Sequence, residues 1–543
     1  MRSLAAQLSP VKCGHQGPAK QKEEHVKKVR LSIAARLWVT ALLNFVICMP
    51  ATAQAPPAAD SFPKELDDYL KATLKDWEFP GLAIAVVKDG KVVVARGYGV
   101  RELGKPELVN EDTIFDVASL TKSFTAAATA SLVDEKKMSW DDPVRRHIPS
   151  LEFPDPYLTA NVTIRDLLSH RTGLRATNTA WYLSGVDRSK LLGLVKNMET
   201  ATGFRTRMVY SNVGYTIAGE AAAKAAGTTW EQLITDRLVV PLGMKRTTAV
   251  FAVPPTENFA SGHALINWVQ RVTPREGMRR DVTAPAGAIQ SSASDLAKWM
   301  LFQLGDGTYQ GKRILSAEAL KEMHSPQTLI PTNEAFRKSR QMKYDFGAYC
   351  LGWQVFDYRG HRMLWHTGSG DGQTAFMGLL KDSNIGVLVL INSWKAGGAG
   401  INVAIASRIM DYYLGLPTRD YSAEFRESWT QSLQQQKEAL SKFEASRIKE
   451  TKPTLPISQY AGVYRDKLGL EVRVWLDGET LRLQYGGGEV AILTHWHHDT
   501  FRARWENPLL AEQRSALVQF NMSPQATIVE LTLNPGDQIT ARR

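Results

Sequence analysis

The chain has 543 residues, enough for two or three domains, and its 44% hydrophobic and 22% charged residues are typical of a soluble globular protein. Of its net charge of +11, residues 1–53 contribute +6 through eight Lys/Arg and two Asp/Glu, and the other 58 basic and 53 acidic residues form no basic run. This distribution excludes a nucleic-acid-binding module, because such modules concentrate basic residues on one face or segment.

The first 53 residues have the pattern of an export signal. Basic residues precede a thirteen-residue apolar run at 37–49, and Ala51-Thr52-Ala53 offers a small-residue cleavage site. The run is shorter than the ~20 residues that a membrane-spanning helix needs. We expect a signal peptide with a long leader at 1–53, cleavage after Ala53, a periplasmic or secreted mature protein, and no stable membrane span after cleavage. An uncleaved membrane anchor is the alternative interpretation.

Residues 54–416 are predicted to form one domain in which strands at both ends enclose a helical middle. Amphipathic spacing predicts a helix at Lys64–Trp77, and Asp89-Gly90 between two apolar runs predicts a β-hairpin. Residues 138–298 are rich in helical patterns and turns, and a second helix is predicted at 403–414. The predicted strands lie at 82–87, 92–95, 351–356, 362–366, 375–380 and 386–391. The pattern favours an α/β (α+β) fold, an antiparallel sheet flanked by helices beside a helical subdomain.

The C-terminal part of the sequence has a polar helical pattern first and short strand patterns after it. A polar helical pattern at 421–449 lacks a wide apolar stripe and ends before Pro453 and Pro456, so we interpret 417–455 as a helical linker. Short strand patterns then recur at regular spacing, with Asp477-Gly478 and a glycine run at 486–488 as turns. Residues 456–543 are therefore predicted to form a small all-β, barrel-like domain.

Cysteine usage predicts a mature chain without an internal disulfide. Cys13 and Cys48 lie in the predicted leader, which leaves Cys350 alone in the mature protein. Stability must then come from core packing. Cys350 lies in a strand-like run and is expected to be a small buried hydrophobic residue.

The tetrapeptide Ser119-Leu120-Thr121-Lys122 places a hydroxyl and an amine one helical turn apart. Residues i and i+3 share a helix face, so Lys122 can reach the Ser119 oxygen. A serine needs such a neighbouring base to act as a nucleophile near neutral pH. The spacing alone is weak evidence, because Ser9…Lys12 and Ser446…Lys449 repeat it by chance in polar segments.

Two later motifs strengthen this interpretation. Tyr210-Ser211-Asn212 and His366-Thr367-Gly368-Ser369 follow in the order expected of a serine-active penicillin-recognising enzyme. With these motifs the chain resembles the β-lactamase and penicillin-binding-protein superfamily, in the branch of class C β-lactamases, D-alanyl-D-alanine carboxypeptidases, D-aminopeptidases and serine esterases. The resemblance implies a β-lactamase-like fold for 54–416. The C-terminal domain looks like the lipocalin-like domain of some D-aminopeptidase-type hydrolases.

The resemblance assigns roles to individual residues. Ser119 is the implied nucleophile, with Lys122 and Tyr210 as proton handlers, and which of the two is the main base stays open. Asn212 is implied to hold Lys122 and to donate to the substrate amide oxygen. His366, Thr367, Gly368 and Ser369 form the implied substrate-binding strand, and the backbone N–H groups of Ser119 and Ser369 are expected to bind the oxyanion.

The residue at 366 narrows the expected activity. Related β-lactamases usually carry lysine there, a permanent cation for the substrate carboxylate, whereas D-alanyl-D-alanine peptidases and D-aminopeptidases often carry histidine. A neutral imidazole is the weaker anchor. We therefore expect an exported serine hydrolase that forms an acyl-serine on amide or ester bonds, with D-aminopeptidase, D-Ala-D-Ala peptidase-like or esterase activity. The alternatives are a weak class C-like β-lactamase and a penicillin-binding or interaction protein without turnover.

The expected partner is a small-molecule or short-peptide substrate, with no nucleic acid, no cofactor and no metal. His495, His497, His498 and Asp499 form a polar cluster, but no Cys or Glu partner is patterned nearby, so a zinc site is not favoured. His170, in Leu167-Leu168-Ser169-His170, is expected to organise a loop.

Overall fold

The computed structural model describes residues 62–250, 258–274, 281–330, 345–395, 400–510, 516–534 and 538–543. The predicted signal peptide at 1–53 lies outside the described residues. Among the described helices, none combines the length and the apolar character that a bilayer crossing requires.

Helices dominate the middle of the first domain, as predicted. The described helices of the whole domain are α1 (Lys64–Trp77), α2 (Thr121–Asp134), α3 (Pro156–Asn161), α4 (Ile164–Leu168), α5 (Asn178–Ser184), α6 (Arg188–Leu194), α7 (Asn212–Ala226), α8 (Trp230–Ile234), α9 (Ala284–Gly287), α10 (Ala293–Leu304), α11 (Ala317–Met323) and α12 (Ile401–Tyr413). Helix α2 is buried on almost every side from Thr121 to Leu132. Its alanines, serines and threonines allow neighbouring elements to approach it closely, so this helix forms the centre of the domain.

An eight-stranded antiparallel sheet supports these helices. Its strands are β1 (Gly81–Lys88), β2 (Lys91–Gly99), β9 (Thr328–Leu329), β10 (Gly347–Tyr349), β11 (Gln354–Tyr358), β12 (His361–Gly370), β13 (Gln373–Leu380) and β14 (Ile385–Ile391). They lie side by side in the order β2-β1-β14-β13-β12-β11-β10-β9. Strand β1 pairs with β14, which joins the two ends of the domain. Both are continuous apolar runs because helices cover both faces of the sheet there. The sheet and its helices confirm the predicted fold class.

Short two-stranded pairs complete the first domain. They are β3 (Phe115–Asp116) with β6 (Gln290–Ser291), β4 (His263–Ile266) with β5 (Val269–Val272), and β7 (Thr308–Tyr309) with β8 (Lys312–Arg313). The β3–β6 pair lies directly before Ser119 in the chain and fixes the entry to helix α2.

One predicted strand is wrong in part. Residues 351–353 of the predicted strand 351–356 belong to the turn between β10 and β11. Gly352 has a φ of +82°, and a Cβ there would lie 2.7 Å from the carbonyl oxygen of Lys122. Glycine is needed because this turn packs against the backbone of helix α2. Cys350 is fully buried, and burial raises the pKa of its thiol to about 12, so it is the buried residue that the sequence predicts.

A single helix, α13 (Tyr421–Ala445), connects the first domain to the second. Its first turn buries Tyr421 and Phe425 against the first domain. At its other end, the Phe443 ring stacks on Trp496 of the second domain, with 4.9 Å between ring centroids. This helix lies within the predicted linker 417–455 and ends at Ala445.

The second domain is a closed antiparallel barrel, which confirms the barrel-like prediction. Tyr460, Tyr464, Phe501 and Phe520 meet edge to face and are buried. Alternating inward side chains of this kind fill a small barrel and give it a core of its own. Its strands are β15 (Gly462–Asp466), β16 (Glu471–Asp477), β17 (Thr480–Tyr485), β18 (Val490–His497), β19 (Thr500–Trp505), β20 (Leu517–Met522), β21 (Ile528–Leu533) and β22 (Ile539–Arg542).

Candidate active site

Ser119 lies in a tight turn just before helix α2. The turn is a 3-10 helix at Ala118–Leu120, and Ala118 has a φ of +45°, in the left-handed region that residues with a Cβ rarely adopt. Local strain of this kind occurs at functional sites, where the surrounding structure holds it. Lys122 lies in the first turn of α2, so the two residues belong to consecutive elements, and Ser119 Oγ is 3.0 Å from Lys122 Nζ as the spacing predicts.

Lys122 is fully buried, and three oxygens surround its amine. Nζ lies 2.8 Å from Asn212 Oδ1 and 2.8 Å from the carbonyl oxygen of Ala286, in addition to Ser119 Oγ. Burial holds the pKa of Lys122 well below its usual value, because the charged form is desolvated. A neutral amine has two N–H donors and one lone pair. Two donors match the amide and carbonyl oxygens, and the lone pair is left for the Ser119 hydroxyl.

Tyr210 also reaches Ser119, with its hydroxyl 2.9 Å from Ser119 Oγ. Its ring lies 4.4 Å from that of His170, measured between centroids. His170 Nδ1 accepts the backbone N–H of Ser211 at 3.1 Å. Burial lowers the pKa of His170 well below its usual value, because the charged imidazolium is desolvated. His170 is therefore a neutral support beneath Tyr210, in line with the loop-organising role predicted for it.

The middle residue of Tyr210-Ser211-Asn212 is a helix cap. Ser211 Oγ accepts the backbone N–H of Gly214 and begins helix α7. The cap fixes Tyr210 just outside the helix and Asn212 in its first turn, so the two side chains reach Ser119 and Lys122 respectively. The spacing of the motif is thus explained by one capping interaction.

Asn212 has a second partner that the sequence did not reveal. Its Nδ2 donates to the hydroxyl of Tyr182, at 3.2 Å, and Tyr182 lies on the short helix α5. Residues 176–187 carry no motif, so only the tertiary contact identifies Tyr182. Asn212 therefore links Lys122 on one side to α5 on the other.

Strand β12 brings the third motif against the nucleophile turn. A Cβ at Gly368 would overlap the carbonyl oxygen of Val117 and would lie 3.2 Å from the backbone nitrogen of Ser119. Only glycine permits this approach. Thr367 is half-buried and Ser369 is exposed at the end of the strand. The structure thus brings the predicted oxyanion strand directly alongside Ser119.

His366 is buried behind this strand, with 1% of its surface exposed. Its Nε2 lies 3.0 Å from the hydroxyl of Tyr349, and its Nδ1 lies 2.7 Å from the carbonyl oxygen of Thr367. Burial raises the pKa of Tyr349 well above its usual value, so the phenol stays protonated and donates to Nε2. Nδ1–H then donates to Thr367. A substrate carboxylate would have to replace one of these partners, and the predicted role of His366 as an anchor stays a prediction.

The histidine cluster of the barrel lies outside this site and has a structural role. The backbone N–H of Ile448 donates to His497 Nδ1, and Asp499 accepts from the backbone N–H and the hydroxyl of Thr454. These contacts fasten the segment after α13 to the barrel. In the part of the chain that the structure describes, no group of three metal-ligating side chains is assembled.

Comparisons with known proteins agree with this geometry. A family model described as Beta-lactamase matches residues 66–408, and one described as a domain of unknown function (DUF3471) matches residues 446–542. Two solved structures share the fold. They are an octameric penicillin-binding protein homologue from Pyrococcus abyssi (TM-score 0.57, 22% identity, 88% of this chain and 99% of that one) and SurE (TM-score 0.54, 19% identity, 88% and 98%).

Curated relatives point the same way. An unguisins hydrolase, ungD, from Aspergillus violaceofuscus is 28% identical over 442 residues, which cover 75% of each chain. Protein flp of Staphylococcus aureus strain MW2 is 25% identical over 337 residues, covering 61% of this chain and 63% of that protein. The family match spans most of the chain and contains every residue placed around Ser119, and on that ground the chain belongs to the Beta-lactamase family, within the superfamily of β-lactamases and penicillin-binding proteins.

Proposed function

We propose that this protein is a serine hydrolase that cleaves amide or ester bonds through an acyl intermediate on Ser119. The observation that carries the proposal is the position of Ser119 Oγ, 3.0 Å from Lys122 Nζ and 2.9 Å from the Tyr210 hydroxyl. A nucleophile with a base in hydrogen-bond reach, itself oriented by further groups, is what covalent catalysis requires.

The hydrogen bonds favour Lys122 as the base of the acylation step. Its N–H donors are used by Asn212 and Ala286, so the lone pair of the neutral amine faces Ser119. Ser119 Oγ attacks the substrate carbonyl while its proton passes to Lys122 Nζ. The carbonyl oxygen becomes an oxyanion, which the backbone N–H groups of Ser119 and Ser369 stabilise.

Tyr210 completes the proton path. Its hydroxyl donates to Ser119 Oγ in the resting site, and it is placed to protonate the departing amine or alcohol when the tetrahedral intermediate collapses. Lys122 then gives the proton that it took from Ser119 to the Tyr210 oxygen, so both groups regain their resting protonation. In deacylation a water takes the place of the leaving group and repeats the steps in reverse, which restores Ser119.

The substrate class proposed is a small peptide containing D-residues, or an ester. His366 supports it, because the residue at this position in related β-lactamases is usually a permanently charged lysine. The similarity to proteins named unguisins hydrolases supports hydrolysis as the reaction. We further propose export, with residues 1–53 as the signal and a periplasmic or secreted location. A weak β-lactamase activity is the second candidate, since a β-lactam would acylate the same Ser119 and use the same two proton handlers.

The test is covalent labelling and turnover by purified mature protein. The panel contains p-nitrophenyl esters, D-amino-acid amides, D-Ala-D-Ala peptides and a chromogenic cephalosporin. Ser119→Ala is expected to abolish labelling by a fluorophosphonate and turnover of every substrate. Ser131→Ala, on the same helix with its hydroxyl bonded to the Ala128 carbonyl, is the matched control and should retain both. Labelling that persists at another serine in Ser119→Ala would overturn the proposal.

A further inference from the structure

A short helix connects the active site to the barrel. Helix α5 has seven residues, and its Tyr182 hydroxyl accepts a hydrogen bond from Asn212 Nδ2 at 3.2 Å. Asn212 Oδ1 in turn accepts from Lys122. Tyr182 is thus two hydrogen bonds away from the amine that activates Ser119.

The barrel holds the C-terminal end of α5. The backbone N–H of Gly487 donates to the carbonyl oxygen of Ser184, and that of Glu489 donates to the carbonyl oxygen of Leu183, both at 2.8 Å. The last carbonyls of a helix have no partner inside the helix. A helix of two turns is also marginal without tertiary contacts. Two amides of the barrel therefore cap α5 across the domain boundary.

The turn that supplies these amides, residues 486–489, packs on α5 without room for side chains. A Cβ at Gly486 would overlap the carbonyl oxygen of Ser184, and a Cβ at Gly488 would overlap that of Leu183. At Gly487, by contrast, a Cβ would meet nothing within 4 Å. The contact is thus made by the glycine backbone on one side of the turn only.

The turn is itself fixed to the barrel. The backbone N–H of Gly486 donates to the carbonyl oxygen of Glu471 at 2.6 Å. The backbone N–H of Gly488 donates to the carbonyl oxygen of Tyr485 at 3.1 Å. Because strands hold the turn on both sides, a side chain that pushes the turn and α5 apart should shift α5 and leave the turn in place. Thr177 and Ala180, at the other side of this segment, line a cavity of about 340 Å³ between the domains.

We propose that the glycine turn of the barrel positions the active site, acting through Tyr182 as a positioning residue for Asn212. The inference rests on the proposed function, in which Lys122 is the base and donates to Asn212. It also uses the role that the family resemblance implies for Asn212, donation to the substrate amide oxygen. The barrel then contributes to the reaction without supplying a residue that touches the substrate. Other contacts, such as Asn197 Nδ2 to the Leu468 carbonyl and Lys467 to Glu199, hold the barrel in place independently of the turn.

The test compares two variants of the full-length protein, each of which adds one methyl group to the glycine turn. Gly488→Ala is expected to lower kcat/KM for a D-amino-acid amide about five- to tenfold, the effect of losing one hydrogen bond. Gly487→Ala keeps its backbone N–H, places its methyl in open space and should match the wild type. Labelling by a small fluorophosphonate, which has no amide for Asn212 to bind, should fall less than amide turnover.

A double-mutant cycle shows whether the effect passes through Tyr182. Tyr182→Phe removes the hydroxyl and retains the ring, and it should cost a similar factor. In the Tyr182→Phe background, Gly488→Ala should have little further effect, because both changes break the same connection. Full additivity of the two changes, or wild-type kinetics of Gly488→Ala, would overturn the inference.

A readout without substrate separates this inference from the proposed function. Hydrogen exchange in residues 178–185 should quicken in Gly488→Ala and not in Gly487→Ala, whatever the enzyme hydrolyses. Unchanged exchange refutes the cap, whereas labelling that survives in Ser119→Ala refutes the proposed chemistry. Should Gly488→Ala not fold, Gly185→Ala tests the same contact from the helix side, since its Cβ would lie 2.8 Å from the Cα of Gly488.

Discussion

At the scale of single residues, the protonation of Lys122 is set by burial. Its partners Asn212, Ala286 and Ser119 are all uncharged, and desolvation lowers its pKa. The neighbouring His170 is also neutral, for the same reason. The site is thus built from neutral groups. A neutral Lys122 amine has a lone pair that can accept the Ser119 proton, whereas a charged ammonium has none.

The first prediction is a stability effect of Lys122 that depends on pH. Between the lowered folded-state pKa and about 10.4, the unfolded chain binds a proton at Lys122 that the folded chain does not, so stability rises with pH. The free energy of unfolding of the wild type minus that of Lys122→Met should therefore rise by up to about 1.4 kcal/mol per pH unit in this range. Urea unfolding of both proteins from pH 6 to pH 10 measures the difference. A difference that stays constant with pH would show that Lys122 is charged in the folded protein.

A second residue-scale prediction concerns His366. His366→Lys should raise the acylation rate of a cephalosporin relative to a neutral p-nitrophenyl ester by about tenfold or more, the effect of a charge-assisted hydrogen bond to the substrate carboxylate. His366→Gln, which is uncharged, is the control and should leave the ratio of the two rates unchanged. Thermal unfolding checks that both variants are folded, because a lysine ammonium cannot accept the hydrogen bond of the Tyr349 hydroxyl. Equal changes for both substrates in His366→Lys would mean that His366 acts on proton transfer.

At the scale of elements, capping decides the position of the second motif. Ser211→Ala removes the cap of α7 and should lower the free energy of unfolding by about 1 kcal/mol. Because Tyr210 and Asn212 flank this cap, kcat/KM should fall as well. Thr229→Ala removes the equivalent cap of helix α8, where Thr229 accepts the N–H of Gln232. It should cost similar stability and leave kcat/KM unchanged, and equal losses of activity in both variants would contradict the positional role of Ser211.

The elements also show what sequence can reveal. The three motifs are short and local, so Ser119, Lys122, Tyr210 and Asn212 could be predicted and do meet in the structure. Strands with continuous apolar runs, such as β1 and β14, could be predicted for the same reason.

Other contacts have no local signature. The carbonyl oxygen of Ala286 belongs to the backbone, which every residue has, and it reaches Lys122 only through the packing of α9 on α2. Tyr182 is one aromatic residue in a segment without a motif. Residues 350–353 have strand-like composition, yet the approach of Gly352 to helix α2 makes them a turn. Each of these depends on residues distant in sequence, which pattern and propensity do not encode.

At the scale of the whole molecule, the two domains are joined at several separate places. Helix α13 spans between them, and its far end is held by the Phe443–Trp496 stack and by the ion pair of Arg502 with Glu444. The glycine turn meets α5 at a second place. The barrel is therefore fixed relative to the site, and its contribution to activity is expected to be one of orientation.

The catalytic residues lie in the first domain, and the barrel is expected only to orient α5. Every atom placed around Ser119 belongs to residues before 370, so removal of residues 455–543 should leave fluorophosphonate labelling of Ser119 in place. Amide turnover should fall more than labelling, because Leu183 and Ser184 lose the barrel amides that cap α5. The thermal midpoint should also fall, since Phe443 loses the Trp496 ring on which it stacks and α5 loses its cap. Labelling rate, amide turnover and circular dichroism of the truncated chain measure these effects, with the truncated Ser119→Ala variant as the control for labelling elsewhere. A truncated chain that is folded and yet fails to label would show that the barrel completes the catalytic centre. Ser119, its base and its second proton handler are all still present in that chain, so a loss of orientation alone should slow labelling and not abolish it.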